Sequence, residues 1–128
     1  MTMEGILDLT KRILLSFSMF LVFSCSTIYK IKVVQNFTSG TLFTFEDYSN
    51  NPVEVCMRSA VVLLDDQPVW RVEASNECTN LKGFKYGSVI TGMNTEVKPA
   101  KLIKGKEYTI TTLSSGATGS QSFTSLLE

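Results

Sequence analysis

The sequence predicts an all-β protein, a small antiparallel β-sandwich of the Ig-like kind with about seven strands, preceded by a signal-peptide helix. Three observations support this expectation. Short segments alternate apolar and polar residues, as half-buried strands do. Clusters of Asn, Asp, Gly, Ser and Pro separate these segments at short intervals. No segment after residue 25 shows the periodicity of an amphipathic helix.

The first two strands are predicted at residues 29–33 and 41–45. In the first, Lys30 and Lys32 alternate with apolar residues, which gives one buried and one solvated face. The second follows a Ser-Gly turn and carries two phenylalanines on one face. Residues 50–52, Asn-Asn-Pro, then interrupt the chain.

A hairpin is predicted in the centre of the chain. Residues 53–58 alternate again, 60–64 form a continuous apolar run typical of a buried strand, and 69–74 return with Trp70 on the apolar face. The intervening turn, 65–68, is Asp-Asp-Gln-Pro, in which aspartates bond nearby backbone groups and proline fixes φ. We expect Trp70 in the core rather than on a ligand platform.

The C-terminal part continues the pattern. Residues 81–92 contain three glycines and predict a strand interrupted by bends, whereas 107–112 predict a regular strand with Tyr108 in the core. The Ser/Gly-rich segment 114–120 is expected to be a flexible tip, with anion binding through its backbone amides as the alternative. Residues 122–124 are predicted to close the sheet.

The N-terminal segment has the order of a secretory signal peptide. A lysine and an arginine precede an uncharged run at 13–23, and a small serine follows it. A membrane-spanning helix needs about 20 apolar residues, so this run is too short to be one. Because Glu4 and Asp8 are unusual before such a run, we expect translation to begin near Leu9.

The end of this segment, Val22-Phe23-Ser24-Cys25, resembles the bacterial lipobox, and the resemblance implies that Cys25 carries a lipid and begins the mature protein. An ordinary cleaved signal and an uncleaved anchor are the alternatives. The chain then divides into a lipoprotein signal peptide, 1–24, and a lipid-anchored sandwich domain, 25–128. Cys25 is followed by Ser26 and Thr27, and not by the Asp that typically retains bacterial lipoproteins at the inner membrane. The periplasmic face of the outer membrane is therefore the expected location.

Two cysteines remain if Cys25 takes the lipid. Cys56 and Cys78 are an even pair in an exported chain, and the bacterial periplasm is oxidising, so we expect a disulfide. Free thiols or a redox pair are the alternatives, although no C-x-x-C spacing supports redox chemistry.

The charges are unevenly spread although the formal net charge is zero. Residues 46–77 contain seven acids and two arginines, whereas 82–106 contain six lysines and one glutamate. This division indicates either two solvated faces or a dipolar surface whose acidic side docks a basic protein. The contact candidates are Glu46, Asp47, Asp65, Asp66 and Glu73.

The residue types give little basis for catalysis. The chain has no histidine, so Ser–His and Cys–His pairs and His-ligated zinc sites are excluded. We therefore expect no enzyme, no cofactor and no metal, with a carboxylate-only hydrolase or an oxygen-ligated metal site as the alternative. Phe84 and Tyr86, between Lys82 and Lys85, could bind a sugar or single-stranded nucleic acid, but strand alternation also explains them and export argues against nucleic acid.

Several residues match a recurring pattern of tryptophan, cysteine, Tyr-Gly, glycine, tyrosine and phenylalanine. In this pattern the sequence resembles a loose group of small proteobacterial β-sandwich lipoproteins. Members of this group include proteins assigned as periplasmic immunity lipoproteins of type VI secretion. The matching residues are Val69-Trp70-Arg71-Val72, Cys78, Tyr86-Gly87, Gly92, Leu102, Gly105, Tyr108, Ile110 and Phe123.

Location, charge asymmetry and this resemblance together predict a non-catalytic binding module. The expected role is that of an immunity protein or inhibitor that neutralises a secreted antibacterial effector or hydrolase, with the membrane engaged only through the lipid. A structural or assembly lipoprotein of the outer membrane is the alternative. An inhibitor of host lysozyme is a variant of the same binding class.

Overall fold

The computed structural model describes residues 29–127, and within that span the chain forms nine β-strands and no helix. The predicted all-β class is confirmed, with nine strands where about seven were expected. In chain order the strands are β1 (Lys30–Asn36), β2 (Gly40–Glu46), β3 (Val55–Leu64), β4 (Gln67–Ala74), β5 (Thr79–Leu81), β6 (Gly83–Lys85), β7 (Met93–Val97), β8 (Glu107–Ser114) and β9 (Ala117–Thr124).

The strands form two antiparallel sheets. The smaller sheet has the order β1-β2-β6, and the larger has the order β7-β4-β3-β8-β9, with β5 paired to the beginning of β3. The chain changes sheets at Lys82, because β5 belongs to the larger sheet and β6 to the smaller. The two sheets enclose one apolar core, so the predicted β-sandwich is confirmed.

The central hairpin is confirmed, with a tighter turn than its sequence suggests. Asp65 and Asp66 both have positive φ, 51° and 63°, as a two-residue hairpin turn requires. The two strands predicted before this turn form one continuous β3. A register shift between Met57 and Ser59 explains the break in apolar alternation there.

Two other segments differ from expectation. The hairpin tip predicted at 114–120 is shorter than expected: β8 runs to Ser114 and β9 begins at Ala117, so the turn has only two residues. The small residues that suggested a loop belong to β9 instead, where Gly119 is buried against the other sheet. Strand β7 was not predicted. It lies at the edge of the larger sheet with most of its side chains exposed, so its sequence does not alternate apolar and polar residues.

Aromatic rings fill the space between the sheets. Trp70 is fully buried, and its ring lies 5.8 Å from Phe84 and 5.1 Å from Tyr86. Phe43 of the smaller sheet contacts Phe123 of the larger with ring centroids 5.5 Å apart. Burying each such side chain stabilises the fold by roughly 1.5–3 kcal/mol, so these rings contribute strongly to holding the sheets together. The predicted core positions of Trp70 and Tyr108 are confirmed.

Cys56 and Cys78 form a disulfide, as predicted, with their Cα atoms 5.3 Å apart. Cys56 lies in β3 directly opposite Asn80 of β5, so the bond fastens the segment before β5 to the strand with which β5 pairs. This link reinforces a strand of only three residues.

The predicted signal peptide, the lipobox and Cys25 lie outside the described residues. Within residues 29–127, no helix is long and apolar enough to cross a membrane.

Candidate partner-binding surface

The five predicted acidic contact residues are distributed over distant parts of the molecule. Asp65 and Asp66 are exposed at the tip of the β3–β4 hairpin. Glu73 lies seven residues further along β4, about 23 Å away at the usual rise of a strand. Its carboxylate is 3.2 Å from the guanidinium of Arg71.

The other two acids lie at the end of β2, in the smaller sheet. Glu46 forms an ion pair with Lys32 at 3.7 Å, and its side chain is only 15% exposed. The Asp47 carboxylate accepts hydrogen bonds from the backbone N–H groups of Ser49, at 2.8 Å, and Asn51, at 3.0 Å. The bond from Asn51 is the chief cause that holds the pKa of Asp47 below its ordinary value.

These positions do not make one acidic patch. The Glu46–Asp47 pair is adjacent to the segment that leads into β3, whereas Asp65 and Asp66 follow the far end of that strand, about 30 Å along it. Only the hairpin pair presents free, exposed carboxylates among the five. Their role in partner contact stays a prediction.

A different surface is concave and basic. A groove of about 560 Å³ lies at the end of the sandwich where β1 turns into β2. Three lysines and several apolar side chains line it, from four separate segments of the chain. We call this the lysine groove, and its principal residues are Phe37, Lys85, Tyr86, Lys101, Lys104 and Leu126.

Lys85 is positioned by its neighbours in β6. Phe84 points into the core and is 8% exposed, so alternation turns Lys85 outward. The Lys85 stem crosses Gly40, which has φ +83° and no side chain; a Cβ there would lie 3.1 Å from Lys85 Cε. Tyr86 follows, and its backbone N–H donates to the carbonyl of Thr41 at 2.8 Å. This end of β6 is therefore fixed against β2.

The loop between β7 and β8 supplies Lys101 and Lys104. Ala100, just before Lys101, donates its N–H to Val69 O at 2.9 Å, and its carbonyl accepts a hydrogen bond from the Tyr86 hydroxyl. Ile103, just before Lys104, donates its N–H to the Tyr108 hydroxyl at 2.8 Å. A loop without secondary structure is thus anchored at each lysine.

Two strongly exposed apolar residues complete the groove. Phe37 is 95% exposed at the tip of the β1–β2 turn, where the Asn36 side chain accepts hydrogen bonds from the backbone of Thr38 and Ser39. Leu126 is 60% exposed, and its N–H donates to the Gln35 side chain at 2.8 Å. At both positions the nearby backbone is hydrogen-bonded while the side chain stays exposed, which leaves apolar surface available to another molecule.

The groove is electrostatically one-sided. Among the described residues, ion pairs join Lys32 to Glu46 and Arg71 to Glu73, and neither involves a groove lysine. Burial raises the pKa of the Tyr86 hydroxyl to about 12, so it stays neutral and donates to Ala100 O. The groove can therefore attract negative charge and bury apolar surface, but its residues form no nucleophile–base pair.

No cluster of His, Cys, Asp or Glu that could hold a metal ion occurs between residues 29 and 127. No protein-family model matches the sequence, and none of the curated proteins compared with it gives a significant match.

Sequence reasoning found part of the groove and missed the rest. The proposed aromatic–basic patch is divided by the fold: Phe84 enters the core, whereas Lys85 and Tyr86 reach the groove. Phe37 and Leu126 were missed because nothing in their local sequence places them together. The run of lysines at 82–106 was the available signal, and three of its six members line the groove.

Proposed function

We propose that this protein is a lipid-anchored envelope protein whose β-sandwich binds another protein and catalyses no reaction. The proposed partner is a secreted antibacterial effector or hydrolase, which the sandwich neutralises. Attachment is through a lipid on Cys25, and the proposed location is the periplasmic face of the outer membrane.

The lysine groove is the observation that carries this proposal. It joins positive charge to exposed aromatic and aliphatic surface on segments that are held by hydrogen bonds. Such a combination is typical of protein-binding surfaces, because apolar anchors supply affinity and charges supply orientation and a fast encounter.

Two further features support a role outside the cytoplasm. The N-terminal segment has the order of a signal peptide that ends in a lipobox-like sequence. The Cys56–Cys78 disulfide suits an oxidising compartment.

The proposal is tested by deleting the gene and exposing the cells to kin that deliver the effector encoded beside it. We expect survival to fall in the deletion strain and to recover with the wild-type gene in trans. Unchanged survival, or an envelope defect in the absence of any attacker, would contradict immunity; the envelope defect would favour the structural alternative.

A further inference from the structure

The geometry points to the chemistry of the partner segment: a short acidic stretch of polypeptide that carries a large apolar side chain between its carboxylates, bound in the lysine groove. This inference rests on the proposed function, because it names what the partner presents to this protein. It also reverses the expectation that the acidic side of the molecule makes the contact.

The groove carries several positive charges. Lys85, Lys101 and Lys104 come from separate segments and converge on one concave surface. Each makes no ion pair with another described residue, whereas Lys32 and Arg71 are both paired with glutamates. Three like charges at one groove repel one another, and an occupant with carboxylates removes that repulsion.

The groove also presents exposed apolar side chains. Phe37 is almost completely exposed, yet the Asn36 side chain holds its turn through two backbone hydrogen bonds of 2.8 and 2.7 Å. Leu126 is held in the same way by Gln35, whose amide also donates to Thr124 O at 2.8 Å. An exposed aromatic side chain on a hydrogen-bonded turn beside lysines favours an occupant that offers both an apolar side chain and negative charge.

The position of the groove disfavours the anchoring membrane as the occupant. A lipid on Cys25 is four residues from Tyr29, at most about 14 Å of extended chain. Phe37 lies at the other end of β1, about 26 Å along the strand from Tyr29. The groove thus opens at the end of the sandwich away from the proposed anchor, where a soluble protein can approach.

The test measures peptide binding to the full-length lipoprotein in detergent, by fluorescence anisotropy with labelled hexapeptides in 0.1 M salt. The probes are EDFLDE, its uncharged counterpart QNFLNQ, and EDSSDE, which lacks the apolar side chains. We expect EDFLDE to bind at least tenfold more tightly than either control peptide. Equal binding of QNFLNQ would overturn the role of charge, and equal binding of EDSSDE would overturn the role of apolar contact.

Groove variants locate the binding. The triple variant Lys85→Gln, Lys101→Gln, Lys104→Gln is expected to weaken EDFLDE binding at least tenfold, and Phe37→Ala at least threefold. All these side chains are solvent-facing, so thermal unfolding should be unchanged and loss of binding can be assigned to the surface.

A matched triple variant separates the groove from general charge. Lys82→Gln, Lys98→Gln, Lys106→Gln removes the same number of charges from the same lysine-rich segment outside the groove, and less than a twofold change is expected. Equal losses in the two triple variants would overturn the site. In the Cys25→Ala protein, which lacks the proposed lipid, tighter binding to phosphatidylglycerol vesicles than to EDFLDE would also overturn it and identify a membrane surface instead.

The peptide assay requires no effector, so it is independent of the proposed function. Failure of the wild-type protein to protect cells, with groove-dependent peptide binding intact, would overturn immunity alone. If the triple variant of Lys85, Lys101 and Lys104 protects cells fully, the groove is not the contact surface, and the immunity proposal is unaffected.

Discussion

The Tyr29 hydroxyl lies 2.7 Å from Thr112 Oγ1, and both side chains are almost completely buried. Tyr29 immediately precedes β1 of the smaller sheet, whereas Thr112 belongs to β8 of the larger sheet. A polar contact therefore joins the two sheets beside the apolar and aromatic core. It also fixes the point where the chain enters the sandwich from the proposed lipid anchor.

Replacing Tyr29 by Phe should lower the free energy of unfolding by about 1–3 kcal/mol, because the buried Thr112 hydroxyl loses its partner. Urea denaturation measures the change. Tyr48→Phe is the matched control, since Tyr48 is exposed and should contribute within about 0.5 kcal/mol. If Tyr29→Phe and Thr112→Val prove additive in a double-mutant cycle, the two hydroxyls do not interact.

The hydrogen bond between Tyr29 and Thr112 has room only because Gly119 of β9 has no side chain. A Cβ at Gly119 would lie 2.8 Å from Tyr29 Cε2 and 3.0 Å from Thr112 Oγ1. Gly119→Ala should therefore destabilise the protein by about 1–3 kcal/mol through overpacking. Ser120→Ala, at the next and exposed position, is the control. A neutral effect of Gly119→Ala in thermal unfolding would show that the two sheets separate here without cost.

The disulfide should contribute strongly to stability. Cys56 and Cys78 are 22 residues apart, and closing a loop of that size stabilises the folded state by about 3 kcal/mol in the chain-entropy model. The double variant Cys56→Ser, Cys78→Ser should unfold at correspondingly lower urea concentration. Reducing agent should shift the wild-type protein in the same direction and leave the double variant unchanged; a shift in both would point to another cause.

Tyr86 should make stability depend on alkaline pH. Its pKa is raised from 10 to about 12 in the folded protein, chiefly by burial. Below pH 10 the phenol is protonated in both states, so its contribution is fully present. Between pH 10 and about 12 only the unfolded chain releases the proton, so stability falls as pH rises. The unfolding free energy of Tyr86→Phe should fall less steeply over this window than that of the wild type, and parallel curves would contradict the assignment.

Membrane attachment should depend on one cysteine. Cys25→Ala should move the protein from the membrane fraction to the soluble fraction of lysed cells, because the lipid would be lost. Ser26→Ala is the control, because it changes the neighbouring residue and keeps both the proposed anchor and the disulfide. Retention of the Cys25→Ala protein in membranes would instead indicate an uncleaved N-terminal anchor.

The most predictable parts of the fold were those whose signal is local. Alternating residues and an Asp-Asp turn predicted the hairpin of β3 and β4, since strand periodicity and turn chemistry operate over a few residues. Strand β7 escaped prediction because its edge position leaves polar residues on both faces. The division of β5 and β6 between sheets depends on partners up to 43 residues away, as in the pairing of Leu42 with Lys85.

By itself, the sequence determined the all-β class, the disulfide partners and the aromatic core, because composition, cysteine number and apolar periodicity bear on each directly. Only the tertiary structure decided which charged residues meet. It dispersed the acids that appear as one group along the chain, and it brought Phe37, Lys85, Lys104 and Leu126 to one groove. A binding surface forms from side chains that share an end of the sandwich, and sheet topology, not sequence proximity, determines that end.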